Sequence, residues 1–112
     1  MRNKYGAKKV HTEDGETYDS KHEYERGLKL KEMESAAKIS NLKRQVKFEL
    51  IPAQKDLYGK SIERACNYIA DYVYNDEDGA LIVEDCKGFH TPDYVIKRKL
   101  MLYVYGIRVI ET

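Results

Sequence analysis

Apolar and polar residues alternate over short spans of this chain, recur at helical spacing, then alternate again. Glu13-Asp14-Gly15 is a turn signal between extended pieces at Lys9–Thr12 and Glu16–Tyr18. Ser20-Lys21-His22-Glu23 reads as a capping box, so a helix is expected from Asp19 or Ser20 to about Ala37. Asn41–Arg44 reads as a connection, and Val46–Ile51 as a strand that stops at Pro52. After a turn at Leu57-Tyr58-Gly59-Lys60, the Ile, Val and Tyr content of Ile62–Tyr74 predicts one long strand. Asn75–Gly79 is a hairpin loop and Ala80–Lys87 the returning strand. Gly88 and Pro92 bracket a loop. A second helix is expected from Thr91 or Pro92 to about Tyr105, with Ile96, Leu100, Tyr103 and Val104 on its core face and Gly106 as terminator. Ile107–Ile110 makes a last short strand. The predicted order is a small hairpin, then helix, three strands, helix, strand: an α/β domain with helices packed on a central sheet.

Composition adds limits. A length of 112 residues predicts one domain, spanning 1–112. With 42% hydrophobic and 35% charged residues the chain is expected to be globular. No apolar run approaches the roughly 18 residues of a membrane span, and no apolar segment follows the basic start, so neither a membrane nor a secretory signal is expected. Cys66 and Cys86 make no disulfide framework, which points to the reducing cytoplasm. The net charge of +1 hides an uneven distribution. Arg2, Lys4, Lys8 and Lys9 crowd the start and Lys97, Arg98 and Lys99 a later segment. Asp76, Glu77, Asp78, Glu84 and Asp85 collect between them. Basic clusters around an acidic centre suit a protein that holds a polyanion against a metal, although solvated basic faces are the commoner reason for such clusters.

The candidate chemistry lies on two predicted strands. Asp71 interrupts Tyr68-Ile69-Ala70-Asp71-Tyr72-Val73-Tyr74, where alternation puts it on one face with Ile69 and Val73. In the returning strand Asp85 and Lys87 share a face with Leu81 and Val83, while Glu84 and Cys86 point the other way. A hairpin centred near Glu77–Asp78 makes Asp71 and Asp85 near cross-strand neighbours, with Cβ atoms about 4.5–5.5 Å apart. Two carboxylates that close repel unless a cation lies between them, and oxygen ligands favour magnesium or manganese. Lys87 beside them can hold a phosphate or orient a water. The set matches metal-assisted phosphodiester hydrolysis.

Asp71 followed one hairpin later by Asp85-Cys86-Lys87 resembles the PD-(D/E)XK nuclease signature, in the matching order of helix, strands, helix and strand. The chain is also similar over essentially its whole length to a small phage and prophage nuclease-like family related to Holliday-junction resolvases. The motifs that carry this are Asn-Lys-Tyr-Gly-Ala-Lys-Lys at Asn3–Lys9, Asp-Ser-Lys-x-Glu at Asp19–Glu23, Phe48-Glu49-Leu50-Ile51-Pro52, and Leu-x-Tyr-x-Tyr-Gly at Leu100–Gly106. Two positions depart from the usual pattern, Ala70 where proline often precedes the first aspartate and Asp85 where glutamate is frequent. Neither removes an essential group.

The resemblance implies a restriction-endonuclease-like core and a magnesium- or manganese-dependent DNA endonuclease acting in a bacterial host, with no small-molecule cofactor. It implies that Asp71 and Asp85 hold the metal, that Glu23 and the Cys86 carbonyl complete its shell, and that Lys87 serves the scissile phosphate or the water. It implies Gln45 as a residue lining the site and branched DNA as substrate; a domain this small is expected to cut two strands as a homodimer. Lys4, Lys8, Lys9, Lys97, Arg98 and Lys99 are the expected contacts to the DNA backbone. Glu23 is equally placed to cap its helix, and Asp71 to pair with Lys87. Cys66 and Cys86 read as buried thiols; with His90 they do not make a zinc-ligand spacing. The competing function is a nuclease-fold module that binds DNA or a phage or host protein without cutting.

Overall fold

The computed structural model describes residues 9–86 and 89–112. Strands β1 (Val10–His11) and β2 (Thr17–Tyr18) form the small leading hairpin. Helix α1 (Lys21–Ser35) follows, then β3 (Ser40–Ile51), β4 (Gln54–Lys55), β5 (Ser61–Glu63), β6 (Cys66–Asn75), β7 (Leu81–Asp85), helix α2 (Pro92–Tyr105) and β8 (Ile110–Glu111). The central sheet has the order β3-β6-β7-β8. Its β3–β6 and β6–β7 pairs are antiparallel and β7–β8 is parallel. The domain is therefore mixed α/β with a four-stranded mixed central sheet and two helices. Among the described residues no helix is long and apolar enough to cross a membrane.

The helices start where the sequence caps them. Ser20 Oγ accepts the Glu23 amide at 3.1 Å, and Thr91 Oγ1 accepts the Tyr94 amide at 3.2 Å. Gly106 ends α2 in the left-handed conformation, φ 69°, a cap that costs glycine little. The capping box is only half formed. The Glu23 side chain bonds Arg44 and Gln45 across the fold.

Two apolar clusters lie on opposite faces of the sheet. Leu50, Tyr68, Ala70, Val73 and Val83 pack with Tyr94 and Met101 of α2. Tyr72, Tyr74 and Cys86 pack with Leu30 of α1 and with Ile39. In β6, Tyr68 and Ala70 thus face α2 while Tyr72 and Tyr74 face α1, so the alternation changes side at Asp71. In β3, Val46 and Phe48 face α2 and Leu42 faces α1, so the change falls near Gln45. The β3–β6 register runs Arg44–Tyr72 then Val46–Ala70, which sets Gln45 opposite Asp71. Gln45 has φ 52°, a left-handed conformation rare for a residue with a side chain, and it is the backbone irregularity at which both strands turn over.

Several sequence expectations change. Asn41–Arg44 is not a connection but part of β3; a register shift between Ser40 and Lys43 absorbs the irregular start, and the Asn41 amide bonds Asn75. The long strand expected over Ile62–Tyr74 is broken, because β5 pairs only with β4 and β6 begins at Cys66. Asp71 does not share a simple face with Ile69 and Val73, since Ile69 is exposed and Val73 belongs to the α2 cluster. Of the expected core face of α2, Leu100 does pack against the cluster, but the other three residues do not. Ile96, Tyr103 and Val104 are exposed, and Tyr94 and Met101 are the buried pair. The inward phase buries Met101 fully and lets the Tyr94 hydroxyl donate to Glu111 at 2.7 Å. The last strand is Ile110–Glu111, not Ile107–Ile110.

Gly27 of α1 lies against Tyr72. A Cβ there would overlap the Tyr72 hydroxyl and come within 3.1 Å of its Cζ. That hydroxyl donates to the Glu23 carbonyl at 2.7 Å and the residue is only 1% exposed, so it has no room to turn. Gly27→Ala gains roughly 1 kcal/mol of helix propensity, but the overlap and the displaced hydrogen bond cost more. A net loss of about 2 kcal/mol is expected in urea unfolding. A more stable variant would show that Tyr72 can swing aside.

Candidate functional site

Three elements supply the buried carboxylates. The helix start supplies Glu23, the turnover point of β6 supplies Asp71, and the end of β7 supplies Asp85. All three are buried: Glu23 is 3% exposed, Asp71 8% and Asp85 1%. Burying carboxylates is costly unless they are bonded. Gln45 Nε2 donates to Glu23 Oε2 at 3.2 Å and to Asp71 Oδ1 at 3.3 Å, bridging the first two. Asp71 Oδ2 accepts the Cys86 amide at 2.7 Å. Gln45 itself is exposed, so the residue that bridges the buried Glu23–Asp71 pair stands at the surface.

Asp85 stands one rung beyond Tyr72–Glu84, the last paired rung of β6 and β7, and that register sets it across from Asp71. Its carboxylate accepts the Tyr68 hydroxyl at 2.6 Å. Tyr68 belongs to the α2 cluster and Tyr72, which bonds Glu23, to the α1 cluster. The sheet therefore holds Asp85 from one face and Glu23 from the other, with Asp71 at the crossing.

The electrostatics are unbalanced. Burial, and next the charge of Asp71, raise Glu23 to about 7, against a smaller opposing pull from Arg44. Arg44 reaches Glu23 at 3.3 Å but also grips Glu16 at 2.7 Å and the Thr17 carbonyl at 3.0 Å. Its guanidinium lies 3.7 Å from the centroid of the Tyr18 ring. Arg44 thus ties the β1–β2 hairpin to the helix start. Among the described residues, no group of three or more His, Cys, Asp or Glu is arranged as a metal-holding set.

The other expected site residues fall as follows. Lys4, Lys8 and Lys87 lie outside the described residues. Lys9 and Lys99 are exposed and Lys97 is half-buried. Arg98 is not a free cation; it bonds Glu111 at 2.9 Å beside the Tyr94 hydroxyl. Cys86 is buried and its thiol, 3.2 Å from Thr112 Oγ1, is pushed up to about 12 chiefly by burial. Cys66 is only half-buried. Glu84 faces away from Asp85 as expected, and it is paired: Arg26 Nε and Nη2 meet its two oxygens at 2.8 and 2.7 Å, and the Tyr74 hydroxyl joins them.

Three residues at or near the site escaped the sequence reading: Arg44, Tyr68 and Arg26. Arg44 was hidden by the mistaken connection over Asn41–Arg44. Tyr68 was hidden because alternation predicts that it points away from an odd-numbered aspartate on its own strand. Arg26 had a signal. It sits one turn after Glu23 on α1, and a glutamate inside a buried strand needs a cationic partner.

No curated protein and no solved structure matches the chain. One family model does, over residues 2–109, nearly the full length. The chain belongs to the family described as protein of unknown function DUF1064.

Proposed function

We propose that the protein is a metal-dependent DNA endonuclease built on a restriction-endonuclease-like core. The observation that carries this reading is the buried Glu23–Asp71 pair, bridged by the exposed residue Gln45, with Asp85 across the hairpin register. Its donors are carboxylate oxygens; burial first, and then the charge of Asp71, raise Glu23 to about 7, and a hard divalent cation would offset both. Asp71, Asp85, Glu23 and the Cys86 carbonyl would hold magnesium or manganese. When bound, the ion would polarise the scissile phosphate and acidify a water. The chain's own groups set the frame. The Cys86 amide and Gln45 orient Asp71, Tyr68 orients Asp85, and Arg44 keeps Glu23 turned inward. Lys87 would contact the phosphate. The order α1, β3, β6, β7, α2, β8 and the mixed sheet support the same core, with β4–β5 as an addition to it. The substrate would be branched DNA and the working unit a cytoplasmic homodimer.

A second reading has its own support. The Gln45 amide already donates to both carboxylates and offsets their repulsion without a cation, which suits a module that binds DNA without cutting.

A cleavage assay separates the two. Labelled four-way junction, flap, linear duplex and single-stranded DNA are incubated with the protein and magnesium or manganese. Metal-dependent cuts should appear in the wild type and vanish in Asp71→Asn and Asp85→Asn. Magnesium should also raise the melting temperature of the wild type but not of Asp71→Asn. Salt-sensitive DNA binding with no cleavage and no metal shift would leave the binding module.

A further inference from the structure

Among the described residues the β4–β5 hairpin pairs only with itself, contributes nothing to either apolar cluster, and every residue from 51 to 64 is exposed. Yet its tip is ordered by more hydrogen bonds than a spacer needs. Asp56 Oδ1 accepts the amides of Tyr58 and Lys60 at 2.9 and 3.0 Å, the Asp56 amide donates to the Lys60 carbonyl, and Gly59 takes φ 83°. What this turn presents is apolar: Leu57 is 97% exposed and Tyr58 93%. Lys55 and Lys60 stand on either side of them, and the Asp56 carboxylate is turned onto the turn's own amides.

The hairpin is also connected to the candidate site. It is rooted between Ile51 and Cys66, and Ile51 is six residues along β3 from Gln45, roughly 20 Å. Over that distance no described element covers the side of the sheet away from α2, where Lys47 and Ile69 are paired and both exposed. An exposed strip that carries Lys47 and Glu49 thus leads from the carboxylates to a hydrogen-bonded apolar tip with Lys55 and Lys60 on either side.

We infer that the β4–β5 hairpin is a wedge for interrupted duplex DNA, with Leu57 and Tyr58 stacking on bases laid bare at a branch or break while Lys55 and Lys60 hold the flanking phosphates. The inference rests on the nucleic-acid reading above and narrows its substrate class. An intact duplex offers no free base face to the tip, whereas a branch point does so without the cost of unstacking a step. Positive charge on both sides of an exposed aromatic suits a polyanion with stackable rings better than it suits a protein partner.

The test measures binding, so it does not depend on cleavage. Anisotropy titrations compare a four-way junction with a linear duplex of the same sequence, and 2-aminopurine at the branch reports unstacking. The proteins are wild type, the double variant Leu57→Ser, Tyr58→Ser, and Asp71→Asn, without metal. The substituted tip residues touch no core, so the double variant should melt with the wild type. It should bind linear duplex as the wild type does, lose at least about tenfold in affinity for the junction, and lose the 2-aminopurine signal. Asp71→Asn should retain both. Equal affinity of the double variant for the junction, or an equal loss on both DNAs, would overturn the wedge. So would a wild-type dimer that the double variant turns into a monomer, since the tip would then be a contact between copies. Tip-dependent junction binding by a protein that never cuts would keep the wedge and remove the nuclease.

Discussion

Arg26→Ala should cost about 3–5 kcal/mol of stability, enough to unfold much of a domain this size at 37 °C. The variant removes both hydrogen bonds to Glu84 and leaves a carboxylate that is 1% exposed beside the Tyr74 hydroxyl alone. The pair is asymmetric. Arg26 keeps partial access to water, with 22% of its side chain exposed, and its hydrogen bonds to Glu84 hold its pKa far above the usual range. Removing the cation therefore strands a charge, whereas Glu84→Gln keeps the shape and should cost much less. Urea unfolding of Arg26→Ala, Glu84→Gln and the double variant measures this. The double variant should recover a large part of the loss, because the stranded charge is gone. A loss below about 1 kcal/mol in Arg26→Ala would mean that water reaches Glu84 once the guanidinium leaves.

The second large effect is a stability that falls as pH rises. Glu23 titrates near 7 in the folded chain against 4.5 unfolded. Between those values the native state binds more protons than the unfolded state, so stability declines with pH across that window and the loss is complete above about 7. The shift corresponds to on the order of 3 kcal/mol, fully retained below 4.5. Glu23→Gln should flatten this part of the profile. In metal-free urea unfolding from pH 5 to 8, the gap between the two proteins should move in favour of the glutamine by about that amount. A divalent ion binding at the site would restore the wild type at pH 8, since it binds the ionised, folded form. Parallel profiles would show that Glu23 is ionised throughout.

Pattern reading recovered much of the frame, because caps, turn residues and period-2 segments are local features. Ser20, Thr91, Gly106 and the Asp76–Ala80 turn all act as their residue types predict. The β6–β7 register followed from the hairpin's midpoint alone, which is why Asp71 and Asp85 could be set opposite each other. What failed was not local. Nothing in Gln45 announces a left-handed backbone, since glycine or asparagine would be the usual signal. Without that turnover, the partners of Asp71 and Tyr68 cannot be assigned to a face. Helix α2 carries apolar residues in two phases, and only the sheet beneath it chooses between them. The break between β5 and β6 has no proline or glycine to mark it; Arg64 and Ala65 are ordinary residues.

The turnover at Gln45 and Asp71 also bears on how the chain can change in length. On either side of that rung the sheet follows opposite parities, so even-numbered residues of β3 and β6 face α2 on one side and α1 on the other. Deleting one residue between the rung and the hairpin would exchange Val46, Phe48 and Leu50 with Lys47 and Glu49 and send the apolar row into water. Residues 52–64 carry no such phase, because both faces of that segment are wet. Natural insertions and deletions should therefore gather in the hairpin, and its reach can be adjusted without disturbing the carboxylates.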